Sequence, residues 1–444
     1  MRIHRCFLLA LWLLADGTVA TAGQADVNDV AEGYVKLVLE VGLYDDGYVD
    51  AYFGPSAWQP ADDVMQGEFP GARLRGGADA LIRQLEGMDS DGVEGIEKLR
   101  RDYIDKQLRS VRGKIDLLAN VRMSFDEESR ALFDAVAPAW EPTHYQGILD
   151  ELDRLLPGEG ELYWRFNQYR IEFTMPRIEI EKALKGAIAA YRQPTREHVT
   201  LPADERFEME FVFGKPWAAS VTYQGDGVSL IQVNSSAPFC IADIVRIARH
   251  EMYPGHHTHL TLLDKHLVKG RRWIEFSILP LYSPLALVAE GLAEYGSYDL
   301  LGNKERLEFE RSVLFPLLDI DPAQAETYDR IMQLKSELDG AVVEAARRYL
   351  DGKMDAAQTK QWLRRYSLIA PGAEMGLMQF IEQHRSYIIN YTVGRRLVKD
   401  YIERHGGATD PAKRWKLFHT LLSTPRTPSG LVEASPRPRR ADTP

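Results

Sequence analysis

The chain has 444 residues, 45% of them hydrophobic, and a formal net charge of −11 at neutral pH. A length of this order can bury a substantial core as one large domain or two lobes, and the acidic balance argues against nucleic-acid binding as a main role. Of the two cysteines, Cys6 falls in a leader-like segment, so Cys240 is left without an intramolecular disulfide partner and stability must come from packing.

Residues 1–22 read as a secretory signal peptide. Arg2 and Arg5 precede the apolar run from Cys6 to Ala15, and Ala20-Thr21-Ala22 supplies a small-x-small cleavage site. The run falls short of the roughly 20 residues that span a bilayer, which predicts export across the inner membrane to the periplasm without stable membrane insertion; a short uncleaved anchor is the alternative. Loss of the leader removes Arg2, Arg5 and Asp16 and takes the formal charge from −11 to −12.

Amphipathic periodicity then predicts helices over residues 29–43, 78–87, 94–133, 145–156 and 162–192, the last kinked or split at Pro176. Residues 45–55, dense in aromatics and acids, either line a cleft or form a solvated loop. Over 205–235 the period changes. Phe207, Met209, Phe211 and Phe213 alternate with other residues, and Gly214-Lys215-Pro216 and Gly225-Asp226-Gly227 punctuate the run as turns. A small antiparallel sheet is expected, whose last strand, Val228–Asn234, either receives an extended substrate by main-chain pairing as an edge strand or only packs on the next helix.

That next helix carries Ile241, Ile244, Val245, Ile247 and Ala248 at spacings of three and four and ends in His250-Glu251-Met252-Tyr253-Pro254-Gly255-His256-His257. Zinc hydrolysis needs neutral imidazoles to hold the metal and a carboxylate beside them to take a proton from water. In the His-Glu-x-x-His spacing the two histidines lie about 40° apart on a helix. Here the second histidine is at i+6, about 240° away on an unbroken helix, and the i+7 position is roughly 10 Å along the axis. Neither pair closes on one zinc with bonds of about 2 Å, so the helix must break between them. Pro254 cannot donate to the His250 carbonyl, and Gly255 permits a positive φ. His256 is the expected second ligand, with His257 as its rival.

A later stretch, Ala289-Glu290-Gly291-Leu292-Ala293-Glu294-Tyr295, is largely apolar, where a carboxylate is costly unless paired or metal-bound. Glu290 is the expected third ligand, and Glu294, one turn on, the partner of a ligating histidine; two solvated glutamates are the bland alternative. Helical patterns continue over 305–350, with a break near 319–322, and over 373–404. The tail 424–444, rich in proline, serine and arginine, reads as disordered and without a chemical role.

The motifs His250-Glu251-x-x-Pro254-Gly255-His256, Glu290-Gly291-x-Ala293-x-Tyr295 and Tyr391-x-x-Gly394 together resemble the bacterial proteins catalogued as domain of unknown function 885, a zincin-like group related to metallopeptidases. The resemblance runs over most of residues 23–423, and its first motif is the most specific. Leu292 stands where that group usually has tryptophan and Ser297 where it has another acid. The resemblance implies a mainly helical fold with a metallopeptidase-like site, and it picks Tyr391 from the C-terminal helix as a donor to the developing oxyanion. Arg395 and Arg396 nearby offer a grip for a substrate carboxylate.

The resulting expectation is a mainly α, large helical zincin-like fold over 23–423, with a small antiparallel sheet before the metal-binding helix. It would be a secreted zinc-dependent metallohydrolase cleaving peptide amide bonds. Zn2+ would be held by His250, His256 and Glu290, with Glu251 as general base and Tyr391 as oxyanion donor. A non-catalytic zinc- or peptide-binding protein on the same scaffold, and an amidase of cell-wall or other non-peptide amides, are the alternatives. Intact Glu251 speaks against the binder, because a storage site needs ligands and no adjacent base. The expected partner is a peptide or other amide, with no nucleic acid; the oligomeric state is not legible in the sequence.

Overall fold

The computed structural model of the chain describes residues 26–60, 67–215, 217–236 and 238–433; the leader-like segment lies outside them. The architecture is mainly helical with two small sheets. Helix α1 (Val27–Gly42) starts at Asp26, whose carboxylate accepts from the Asn28 N–H while Asp29 reaches back to the Asp26 N–H. Strand β1 (Val49–Tyr52) follows, so the acid- and aromatic-rich segment is part strand, with Tyr48 fully buried.

The helix expected over 94–133 is two helices after α2 (Gly71–Glu86), namely α3 (Gly95–Leu118) and α4 (Phe125–Phe133). The apolar period carries through both, but Asn120 takes a φ of 60° and Ser124 with Glu127 forms a capping box that restarts the chain. Next come α5 (Thr143–Leu155), α6 (Leu162–Glu172) and α7 (Arg177–His198), the last two separated at Pro176 as expected.

The sheet departs from expectation in two respects. Strands β2 (Arg206–Val212), β3 (Ala219–Gly225) and β4 (Val228–Asn234) lie in the order β2-β4-β3. The β3–β4 pair is the antiparallel hairpin expected at Gly225-Asp226-Gly227, all three at positive φ, whereas β2 runs parallel to β4, from Arg206 opposite Val228 to Val212 opposite Asn234. The sheet is therefore mixed. Period-2 alternation sets which side chains share a face and says nothing about which strand lies alongside; the link from Val212 to Ala219 need only cross about 10 Å, two strand spacings. Because β4 is paired along both sides, it is no edge strand and cannot take a substrate by main-chain pairing.

Helix α8 (Ile241–Ile247) passes into a π-helical turn at Ala248–Met252, and α9 (His256–Leu263) begins after a bend. Strand β5 (Ile278–Pro280) pairs antiparallel with β1, and α10 (Pro284–Tyr295) starts at the Ser283 cap. Then follow α11 (Asn303–Phe309), α12 (Phe315–Leu317), α13 (Ala325–Glu337), α14 (Gly340–Leu350), α15 (Ala356–Ser367), α16 (Ala373–His384), α17 (Ile389–Arg404), α18 (Pro411–Leu422) and α19 (Pro428–Glu433). The run expected over 373–404 is interrupted at Arg385, whose φ is 51°.

The tail expected to be disordered from residue 424 is in part packed. Leu431 is buried, Thr427 Oγ1 donates to Asp102 Oδ2 (2.6 Å), and Arg404 donates to the Leu431 carbonyl (2.6 Å). A composition rich in proline and serine hid one apolar anchor; residues 434–444 lie outside the described residues.

The centre of the molecule is the crossing of α10 and α17. Only Ala286 of α10 escapes full burial. At the crossing two glycines meet: a Cβ built on Gly291 would stand 2.4 Å from the Gly394 carbonyl carbon, and one on Gly394 would stand 2.5 Å from the Leu287 oxygen. Backbones this close exclude any side chain at either position. Among the described residues no helix is long and apolar enough to cross a membrane.

Candidate metal centre

The expected helix break is present between the two histidines. α8 and its π turn carry His250 and Glu251; the chain bends through Tyr253–Gly255 and restarts as α9 with His256 in its first position. Gly255 is required for a reason other than the one expected. Its φ is −77°, not positive, but a Cβ there would lie 1.8 Å from the His250 carbonyl oxygen. The bend folds α9 back so tightly on the π turn that only hydrogen fits.

This bend brings His256 Nε2 to 3.1 Å from His250 Nε2. From α10, Glu290 places Oε2 at 3.2 Å from His250 Nε2 and Oε1 at 3.7 Å from His256 Nε2. Among the described residues these three form the one group of donors whose atoms all lie within 4.8 Å of one another. Two atoms each about 2.0–2.1 Å from a tetrahedral zinc stand roughly 3.3 Å apart, so the observed separations are of the right size. Two further observations fit a cation. Imidazole nitrogens that face each other need something positive between their lone pairs, and Glu290 Oε2 is buried without a hydrogen-bond partner. The donor set, two imidazoles and a carboxylate, suits zinc.

Each donor is held from behind. Glu294 Oε1 lies 3.1 Å from His250 Nδ1, off the line of a good hydrogen bond, and accepts from Arg246 at 2.5 Å. Burial alone would raise Glu294, but Arg246 and His250 hold it down at about 2. Burial would likewise lower His250, yet its contacts with Glu290 and Glu294 raise it to about 10. Tyr387, from the turn before α17, donates to Glu290 Oε1 at 2.9 Å. Its place is fixed in turn by the buried Glu128, which accepts from the Ser386 N–H and hydroxyl (3.1 and 2.7 Å) and from Arg385 (2.6 Å).

Glu251 is nearly buried, and its charge acts on Tyr391 and Asp50. Tyr391 lies one helical turn beyond Tyr387, with ring centroids 5.9 Å apart. Its hydroxyl has no partner among the described residues; burial, Glu290 and Glu294 keep it protonated far above the ordinary tyrosine range, so it is a donor at any physiological pH. Asp50 is exposed to solvent although protein surrounds it on nearly every side, as befits a cleft wall. Burial and the Glu290 and Glu251 carboxylates, against the pull of His256, bring it to about 6.

The two rival histidines separate cleanly. His257 is fully buried and points away from the donor cluster: its Nε2 lies 3.0 Å from Glu205 Oε2 and its Nδ1 2.8 Å from Ser229 Oγ on β4. An ionised carboxylate only accepts, so His257 donates from Nε2 to Glu205. Glu205 also accepts from Tyr253 (2.6 Å), Arg192 (2.7 Å) and Arg196 (2.9 Å). The Ser229-His257-Glu205 order looks like a nucleophile relay, but all three are buried beyond any substrate. Its physical effect is to tie both ends of the Tyr253–His257 bend to one carboxylate.

Sequence reasoning gave no role to Arg246 or Glu205, preferred Tyr391 to Tyr387, and placed Asp50 only within the segment that either lines a cleft or forms a loop. Arg246 and Tyr387 sit four residues before His250 and Tyr391, a helical spacing that could have flagged them; Glu205 carries no local signal. Arg395 pairs with Asp299 (2.7 Å) on the wall of a cavity of about 520 Å3 beside Arg246, Tyr298 and Arg306, which does not include the three donors. Ser297, where an acid was expected by resemblance, bonds the Ala293 carbonyl (2.8 Å) and lines the same cavity.

No known protein-family profile matches the chain, and no curated protein matches it. Two solved structures resemble it in outline. One is described as a candidate lipoprotein from Colwellia psychrerythraea (TM-score 0.48, 17% identity, covering 80% of this chain and 65% of that one). The other is described as a candidate lipoprotein of unknown function from Shewanella oneidensis (TM-score 0.48, 14% identity, covering 82% and 71%). The chain thus spans less than two thirds of the first structure's length.

Proposed function

We propose that the protein is a zinc-dependent hydrolase of peptide amide bonds, with a zincin-like site of the kind implied by its resemblance to the domain of unknown function 885 group. The observation that carries the reading is the convergence of His250, His256 and Glu290 within 4.8 Å, with Glu251 next to one donor and the unpartnered Tyr391 hydroxyl close by. Zinc, when bound by these three residues, supplies the Lewis acidity that polarises a carbonyl and makes water a nucleophile near neutral pH. Glu251, adjacent to a ligand without being one, takes the proton from the attacking water and passes it to the leaving amine. Tyr391 donates to the oxygen that gains charge as the carbon becomes tetrahedral. Arg246 and Glu294 hold His250, Tyr387 holds Glu290, and the Glu205 network holds the bend that presents His256.

The test is Glu251→Gln. It is expected to bind zinc as the wild type does and to lose about 10²-fold or more in turnover of a peptide library read by mass spectrometry. A wild-type protein that loads zinc and cleaves no peptide, with peptide binding unchanged in Glu251→Gln, would falsify the hydrolase and leave a binding protein.

A further inference from the structure

The machinery above leaves one cleft carboxylate unused. In the β1–β5 pair, Val49 faces Pro280 and Ala51 faces Leu279, so β1 contains one residue more than its partner and Asp50 is the extra one. A bulge turns the extra residue out of the ladder and re-aims it, which is why bulges recur beside active sites. β5 leads directly into the Ser283 cap and α10, the helix that carries Glu290, so the bulge is anchored to the same frame as the donor set.

Three facts define what Asp50 faces. It is exposed within the cleft, and no hydrogen bond or ion pair from the described residues engages its carboxylate. The charges that act on it are those of His256, Glu290 and Glu251, and it acts in turn on Tyr387, so it looks onto the donor cluster. It is not a member of that cluster, since only His250, His256 and Glu290 bring donor atoms within 4.8 Å of one another. The Arg246 guanidinium is held by Glu294 behind His250. Among the described residues no cation pairs with Asp50 or with Glu251, so these two carboxylates favour a positively charged group beside the donors.

A peptide has one cation whose distance from the scissile bond is fixed by covalent geometry when cleavage follows its first residue. The α-ammonium nitrogen is two bonds, of about 1.46 and 1.52 Å, from the carbonyl carbon of its own residue. A carboxylate about 2.9 Å from that nitrogen stands beyond bonding reach of a metal at the carbonyl oxygen, which agrees with Asp50 lying outside the donor group while feeling its charges. On the reading proposed above, we infer that Asp50 receives the free α-amino group of the substrate, so that the site removes the N-terminal residue from unblocked peptides.

A mixed-sequence peptide library and its N-acetylated copy test the inference. The zinc-loaded wild type is expected to release single N-terminal residues from the free library, with kcat/KM lower by about 10²-fold or more for acetylated peptides, because a site built around a charged partner rejects the analogue that lacks it. In Asp50→Asn the zinc content should match the wild type and the preference for free over acetylated peptides should fall to within about threefold. Calorimetry in the inert Glu251→Gln background supplies a readout independent of turnover: free peptides should bind more tightly than acetylated ones, and adding Asp50→Asn should remove the difference. Equal cleavage of free and acetylated peptides by the wild type, or a preference that survives Asp50→Asn, overturns the Asp50 assignment and leaves the hydrolase standing. No cleavage of either library by the zinc-loaded protein overturns both.

Discussion

His256 and His257 are neighbours in sequence and opposites in environment. One shares a 3.1 Å nitrogen pair with His250, and the other is sealed between Glu205 and Ser229. His256→Ala is expected to lose most of its zinc in metal analysis. His257→Ala should retain about one zinc per chain but lose on the order of 1–3 kcal/mol of stability, because Ser229 would be left buried and unpaired and Glu205 would lose one of its buried donors. Equal zinc loss in the two variants, with native melting of His257→Ala, would reverse their roles. The two tyrosines divide similarly. Tyr387→Phe should weaken zinc binding by about tenfold through Glu290, whereas Tyr391→Phe should keep the zinc and lower kcat by roughly 10–10²-fold; kinetic and zinc titrations on the same preparations separate them. At this scale the donor types and their spacing were legible, since chemistry and helix geometry leave few options for a His-Glu pair followed by Pro-Gly-His. The supports were not, because Glu205 reaches His257 across 52 positions with no periodic signature.

Among the elements, the α10–α17 crossing joins the helix of Glu290 to the helix of Tyr391. Gly394→Ala would force a methyl group to within 2.5 Å of the Leu287 oxygen, so the helices must separate. Overpacking of this kind typically costs about 1–3 kcal/mol, and here the obstacle is backbone, which yields least. A lower thermal midpoint together with weaker zinc binding is expected; a variant that melts lower but titrates zinc like the wild type would show that the crossing stabilises the fold without setting the donor distance. Helices were read well because an amphipathic face repeats over many residues, and Pro176 marked a true boundary. The β2–β4 parallel pairing, the Asp50 bulge and the capping box inside residues 94–133 were not read, because each depends on which neighbour the chain meets rather than on its own period.

For the molecule as a whole, the Glu205 network predicts how stability depends on acid. Burial alone would raise Glu205, but His257, Tyr253 and Arg192 hold it at about 2, below the ordinary 4.5. A carboxylate depressed in the folded state contributes stability that is complete above its unfolded value and is lost as pH falls through the folded one. The window therefore runs from about 4.5 down to about 2, and the difference corresponds to about 3 kcal/mol. Urea titrations of the wild type and Glu205→Gln across that range should show the wild type losing its advantage as the pH drops; parallel curves would place the acid sensitivity elsewhere.

The site also has an order of assembly in time. Asp50 lies on an early strand, His250 and His256 on the middle of the chain, Glu290 on α10, and the Tyr387 hydroxyl that steadies Glu290 comes 97 positions later. During synthesis, then, a chain that has emerged only as far as α10 has every donor but neither the crossing helix that fixes their spacing nor the tyrosine that orients the carboxylate. On the function proposed above, tight metal capture would wait for the last fifth of the polypeptide, and the nascent chain would pass through most of its synthesis unable to hold a metal firmly or turn its chemistry on neighbouring proteins.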